Sequence, residues 1–240
     1  MTLWKSFGAS VIGPGHISDG KPNQDAWTAF HHLRNDGIIV SDGMGSKKFS
    51  DFGSEAACRA VACAVYACRG KTEADQSFLF DRIISNWLSF TEPLEPRDCS
   101  ATCLFAVRFS DGLIRTGMLG DGLISILKTD GSVISLNENK TDSFSNITTA
   151  LSSKTAGKEW RFLPPLQEEL CRAVLLCTDG VSDDLTDTDE LIKMIISSAG
   201  NSACVSLSRN IRIMLENWPT PKHSDDKTIA CLFRKETEDE

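Results

Sequence analysis

Short apolar runs that stop abruptly at an aspartate recur along this chain. Ile38-Ile39-Val40-Ser41 runs into Asp42-Gly43-Met44-Gly45, and Ala173-Val174-Leu175-Leu176-Cys177-Thr178 runs into Asp179-Gly180. Towards the C-terminus, Asp225-Asp226-Lys227-Thr228 opens onto Ile229-Ala230-Cys231-Leu232-Phe233, and near the N-terminus Asn23-Gln24-Asp25 precedes Ala26-Trp27. Short apolar runs bounded by turn residues predict buried strands, so each aspartate is expected at a strand tip. Carboxylates brought together in this way repel one another unless a cation lies between them, and hard oxygen ligands suit Mg²⁺ or Mn²⁺ rather than Zn²⁺.

The remaining pattern fills in the architecture. Val11 to Gly20 reads as a strand end and a Gly-rich turn. Asp25 to Leu33 and Gly37 to Ser41 read as strands joined by Arg34-Asn35-Asp36-Gly37. Ser50 to Cys68 predicts a helix with Ser50 as N-cap and a stripe of Ala57, Ala60, Val61, Ala64, Val65 and Cys68. Asp75 to Phe90 predicts a second helix that buries Phe78, Leu79, Ile83, Trp87 and Leu88 and ends before Pro93. Four runs, Ser100 to Phe109, Leu113 to Leu119, Leu123 to Lys128 and Ser132 to Leu136, predict a meander. Asn137 to Pro165 is an irregular, polar stretch of the length that is usually functional or mobile. Ala173 to Thr178 is a strand, Asp187 to Ser198 and Ser202 to Trp218 are helices, and Thr228 to Phe233 is the last strand. Strands and helices come in blocks, which predicts an α+β fold with antiparallel sheets, its first and last strands pairing to close one of them.

Asp-Gly is also a common hairpin signal, and seven such pairs occur, at 19, 36, 42, 111, 121, 130 and 179. Those at 36, 111 and 130 lie between strand-like runs and predict turns. Asp42-Gly43 and Asp179-Gly180 are followed by polar or helix-like sequence with no returning strand, so they stand out as site candidates. Asp121-Gly122 lies between strands and is open to both readings.

The order Asn-Gln-Asp, Ser-Asp-Gly-Met-Gly, Gly-Asp-Gly, Thr-Asp-Gly and Asp-Asp-Lys-Thr resembles that of the type 2C metal-dependent protein phosphatases, especially bacterial ones, from about Gly13 to Phe233. The resemblance implies two stacked antiparallel sheets flanked by helical layers, an α-β-β-α sandwich, forming one catalytic domain over residues 1–240. It implies two Mg²⁺ or Mn²⁺ ions bridged by Asp42, with the Gly43 carbonyl as a further ligand and Asp179 and Asp225 on one ion. Asp121 matches a ligand of a third, weaker ion, and Asp25 a partner of metal-associated water. The implied reaction is hydrolysis of phosphoserine or phosphothreonine in proteins by a metal-bridging hydroxide, opposing a kinase encoded elsewhere.

Three positions depart from the family pattern. Gln24 stands where many members have Glu, which removes a charge from the second ion. Gly20 stands where many carry a phosphate-gripping Arg, leaving Lys21 or His16 as the candidate phosphate-binding residues. Met44 stands where eukaryotic members have a His that can donate a proton. The first two support an alternative, a phosphatase-like regulatory or phosphoprotein-binding module without turnover.

Composition narrows the partners. A net charge of −8 argues against a general nucleic-acid binder. No apolar run approaches the roughly 18 residues of a transmembrane helix, and no signal peptide is evident, so a cytoplasmic protein with no membrane partner is expected. Nine cysteines, an odd number without a Cys-x-x-Cys, fit reduced core residues. Residues 235–240 read as an acidic solvated tail. His223 reads as an exposed loop residue.

Overall fold

In the computed structural model, residues 3–32, 34–68, 76–137, 149–152, 154–155, 157–200, 202–219 and 224–235 are described. Two five-stranded antiparallel sheets stack face to face. One runs β1 (Leu3–Val11), β10 (Lys227–Lys235), β9 (Cys171–Cys177), β6 (Leu123–Lys128) and β7 (Val133–Asn137). The other runs β2 (Asp25–His32), β3 (Asn35–Asp42), β4 (Cys103–Arg108), β5 (Leu113–Leu119) and β8 (Leu166–Gln167). The chain ends meet as expected, since β1 pairs with β10 along its whole length, from Leu3 opposite Lys235 to Val11 opposite Lys227.

Helices cover both outer faces. α2 (Ser50–Ala67) and α3 (Gln76–Thr91) lie on the β2–β8 sheet, and α5 (Thr188–Ala199) and α6 (Cys204–Glu216) on the other. Two short helices, α1 (Pro14–Asp19) and α4 (Asp179–Ser182), follow strand ends. The strands are continuous apolar runs because both faces are buried. In β4, Cys103, Phe105 and Val107 pack under α2 and α3, while Leu104 and Ala106 face the opposite sheet. In β9, Ala173, Leu175 and Cys177 face α5 and α6, while Val174 and Leu176 fill the space between sheets. All nine cysteines are free, and seven of them, Cys58, Cys68, Cys99, Cys103, Cys171, Cys177 and Cys231, are buried.

Several expectations are corrected. The four central runs are not one meander: β4 and β5 pair in one sheet, β6 and β7 in the other, and Gly120-Asp121-Gly122 is the crossing between sheets. Asp121 therefore does not sit in a hairpin turn. The β2–β3 turn comes two residues earlier than expected, with Arg34 at φ 65° and Asp36-Gly37 inside β3. Gly37 is there because the Phe30 ring, opposite it in the ladder, occupies the space a Cβ would need. Ser50 is the first residue of α2 rather than its cap; Phe49 holds the cap position and makes no side-chain cap bond. Pro14 to Asp19, read as a turn, is a helical turn and a half begun by Pro14 and closed by Gly20 at φ 65°.

The stretch from 137 to 165 is only partly described. Its residues 138–148 lie outside the described residues, as does His223. The rest is tied to the core: Leu151 bonds back to Ala101, Trp160 stacks on Phe80 at 4.7 Å, and Arg161 pairs with Met118 and donates to the Gly120 carbonyl at 2.7 Å.

α2 is seated by a close backbone approach. A methyl at Gly53 would overlap the Cys99 carbonyl, and the buried Trp87 indole donates to the Gly53 carbonyl at 3.0 Å. Gly53→Ala should therefore cost about 1–3 kcal/mol, the usual range for overpacking a tight interior. Chemical denaturation of the variant beside wild type checks this, and an unchanged midpoint would show that α2 can shift without loss.

Candidate metal centre

Four strand ends and one crossing place aspartates at the same end of the sandwich. Asp25, first in β2, pairs with Asp42, last in β3. Cys177, last in β9, pairs with both Leu123, which follows the Asp121 crossing, and Ile229, which follows Asp225-Asp226. Strand register thus aligns residues scattered over 200 positions of sequence.

Each aspartate is held by its own motif. After Asp42 the backbone is fixed on both sides: Asp42 N donates to the Thr102 hydroxyl at 2.9 Å, Gly43 N to the Gln24 carbonyl at 3.0 Å, and Met44 N to the Ser100 carbonyl at 3.0 Å. A Cβ at Gly43 would overlap the Ser50 carbonyl, so this passage beneath the N-terminus of α2 requires glycine. Asp179 opens α4 immediately beyond β9, and a Cβ at Gly180 would overlap the Asp226 carbonyl.

Asp25 is nearly buried and spans the two sheets. Its Oδ2 accepts from the Thr178 hydroxyl at 2.8 Å and the Thr228 hydroxyl at 2.7 Å, both on the opposite sheet's strand ends. Asn23 completes the motif: its Oδ1 accepts from Asp25 N at 3.0 Å, and its Nδ2 donates to the Ser10 hydroxyl at 2.8 Å. Ser10 Oγ in turn lies 2.8 Å from Thr228 Oγ1. The threonines of Thr-Asp-Gly and Asp-Asp-Lys-Thr are therefore the hydrogen-bond partners of the first motif's aspartate.

Oxygens of Asp42, Asp121 and Asp179 lie within 4.8 Å of one another. Asp225 is close enough to act electrostatically on Asp42, and its side chain is partly open to solvent. The crowding is visible in the acidities. Burial raises the Asp42 carboxyl well above the ordinary carboxylate range, and the charges of Asp25, Asp179, Asp225 and Asp121 add to it in that order. Burial likewise pushes Asp25 up to about 8 against the opposing bonds from Thr228 and Thr178, with Asp226 and Asp179 raising it further. Such a set of hard, mutually repelling oxygens fits a divalent cation bound by carboxylates. Gln24 Oε1, a buried acceptor without a hydrogen-bond partner among the described residues, lies 3.7 Å from where a Gly45 Cβ would sit, beside the Asp42 loop.

The two phosphate-binding candidates fall in different places. Lys21 is exposed, with its Nζ 3.7 Å from Asp19. His16 is directed inwards from α1: its Nδ1 is 2.9 Å from Asp226 Oδ2 and its Nε2 3.9 Å from Asp225 Oδ1.

Sequence reasoning passed over Asp226. Its side chain is nearly sealed from solvent and accepts from Gly13 N at 2.7 Å and Gln24 N at 2.6 Å as well as facing His16. Only its place in the Asp-Asp doublet before a strand could have signalled this. Lys227 was also missed; it is buried, with Nζ donating to the Asp225 carbonyl at 2.9 Å.

Comparisons with known proteins bear on the fold and the family. No curated protein matches the chain in sequence. Among solved structures, a C. elegans sex-determining protein superposes with a TM-score of 0.68 at 14% identity, over 95% of this chain and 64% of that one. The photosystem II phosphatase PBCP gives a TM-score of 0.65 at 14% identity over 97% and 99% of the two chains. The catalytic domain of the serine/threonine phosphatase PstP, solved with two manganese ions, gives 0.61 at 15% identity over 98% and 100%. These likenesses establish the fold. The sequence profile of the Protein phosphatase 2C family matches residues 12–216, so the chain belongs to the protein phosphatase 2C family.

Proposed function

We propose that this chain is a Mg²⁺- or Mn²⁺-dependent protein serine/threonine phosphatase. The observation that carries the reading is the convergence of Asp42, Asp121 and Asp179 within 4.8 Å, with Asp42 in the middle of four charged neighbours. We assign Asp42 as the ligand shared by two ions, the Gly43 carbonyl as a further ligand, Asp179 and Asp225 as ligands of one ion, and Asp121 as the ligand of a third, weaker one. Bound ions of this kind neutralise phosphoryl oxygens and lower the pKa of water into the physiological range.

The protein's own residues supply the rest. Asp25 is fixed by Thr178 and Thr228 beside Asp42, where we assign it to the surrounding water rather than to an ion. The orphaned Gln24 Oε1 takes the place of a carboxylate next to Asp42, offering an acceptor without a charge. The substrate is the phosphoserine or phosphothreonine of a protein, the product of a separate kinase.

The deciding experiment is hydrolysis of an aryl phosphate and a phosphothreonine peptide with EDTA, Mg²⁺ or Mn²⁺. Metal-dependent turnover of both is expected, reduced at least 100-fold by Asp42→Asn. A folded protein that binds metal yet turns over neither would instead be a regulatory module, the reading that Gln24 and Gly20 support.

Gln24→Glu restores a negative charge beside the cluster. Mn²⁺ binding at the weaker of the two principal sites should tighten by about tenfold, in line with the effect of groups adjoining metal ligands. Calorimetric titration would read this, and unchanged affinity would remove Gln24 from the centre.

The raised carboxyls also fix a pH dependence. A carboxyl whose folded-state pKa exceeds its unfolded value stabilises the fold below the unfolded value and loses that contribution as pH climbs through the folded one. With Asp25 moving from 3.8 to about 8, the melting temperature in EDTA should fall as pH rises from about 4 to about 8. Saturating Mn²⁺ should flatten or reverse the slope, because ligands must be deprotonated. A flat profile in EDTA would show that the carboxylates are not crowded in solution.

A further inference from the structure

His16 is placed with unusual care for a residue on a six-residue helix. α1 is docked closely on the segment before β10: Gly15 N donates to the Ser224 carbonyl at 2.8 Å, and a Cβ at Gly13 would overlap the Asp225 carbonyl. A Cβ at Gly15 would come 2.7 Å from the Ser224 hydroxyl. Gly13 is therefore required for the approach, and the approach brings the imidazole to Asp225 and Asp226.

The ring's orientation follows from what holds it. Asp226 Oδ1 and Oδ2 already accept two backbone N–H bonds, from Gly13 and Gln24, so this buried side chain acts as a carboxylate acceptor. His16 Nδ1, 2.9 Å from Oδ2, must then be the donor. Nε2 is left facing Asp225 Oδ1 at 3.9 Å, too far for a hydrogen bond. Two ligand atoms each about 2.1 Å from one ion lie roughly 3–4 Å apart, so this separation suits a shared cation. A carboxylate that fixes the Nδ1–H of a histidine while Nε2 faces an acidic group is the arrangement by which proteins orient imidazole ligands.

We propose that His16 Nε2 is a nitrogen ligand, acting with Asp225, for a divalent transition-metal ion at the α1 edge of the carboxylate centre. The inference rests on the reading of that centre as a metal site and adds to it a source of metal selectivity. Imidazole nitrogen binds first-row transition ions in preference to Mg²⁺, whereas an all-carboxylate set does not distinguish them so strongly. His16, expected from sequence to meet substrate phosphate, instead biases the centre towards Mn²⁺ and its neighbours. Asp226 is the positioning residue for this ligand.

Pulsed EPR of the Mn²⁺-loaded full chain tests this without relying on activity. The wild-type spectrum should show nitrogen modulation that changes frequency when histidine is labelled with ¹⁵N. His16→Ala should abolish it and weaken Mn²⁺ binding by about tenfold or more, with Mg²⁺ affinity changed by less than about threefold. His223→Ala should leave both unchanged. Mn²⁺ binding without histidine modulation in the wild type overturns the assignment and leaves the phosphatase reading standing, as does modulation that persists in His16→Ala. Failure of the wild type to bind Mn²⁺ at all overturns both.

Discussion

Carboxylate repulsion at one end of the sandwich is the constraint that the rest of the site depends on. Asp42 is raised first by burial and then by four other aspartates, and burial raises Asp25 despite two hydroxyl bonds that oppose the shift. Nothing in an unconstrained chain would hold these groups together. Here the work is done by strands buried on both faces, whose packing between helices and the opposite sheet leaves their ends no freedom to separate. The apolar core thus supports a local arrangement that is unfavourable without a cation, which is the general relation between a rigid scaffold and a preorganised site.

Asp25 shows how closely fold and site are joined. Its carboxyl belongs to β2, and both hydroxyls it accepts from belong to the other sheet, on Thr178 after β9 and Thr228 in β10. One group therefore helps align the two sheets and positions the strand ends that carry Asp179 and Asp225. Asn23 and Ser10 extend the same network to β1. The polar residues of the motifs are explained by this linkage as much as by chemistry at the cluster.

Most of the fold was legible because periodicity and burial coincide. β9 and β10 are unbroken apolar runs, and α2 and α3 show their stripes; each was placed to within a few residues. The errors have physical causes. Gly120-Asp121-Gly122 reads as a hairpin because local sequence does not reveal that β5 and β6 pair in different sheets. Asp36-Gly37 reads as a turn, yet glycine is needed there to admit the Phe30 ring, a contact between paired strands. The described part of the 137–165 stretch is irregular, as expected, but no local period signals that Leu151 and Trp160 anchor it to the core. At the site, the positions of Asp42 and Asp179 were legible from their strand tips, and that of Asp121 from the family resemblance. The partner of His16 was not, because nothing in the local sequence distinguishes Asp226 from Asp225.

The two aspartates of the doublet differ in burial and in what they hold. Asp226 accepts two backbone N–H groups and faces an imidazole, so its charge is used up inside the protein, and it fastens residues 13 and 24 to the start of β10. Asp225, one residue earlier, is partly open to solvent, and its Oδ1 accepts from Asp226 N at 2.9 Å. The pair thus combines a buried structural anchor at Asp226 with a more open carboxylate at Asp225, the one proposed as a ligand. Lys227 then donates to the Asp225 carbonyl and fixes the backbone between them. The doublet's place is set by the strand that follows it: a one-residue slip of β10 against β1 and β9 would turn every buried side chain of that strand to the wrong face.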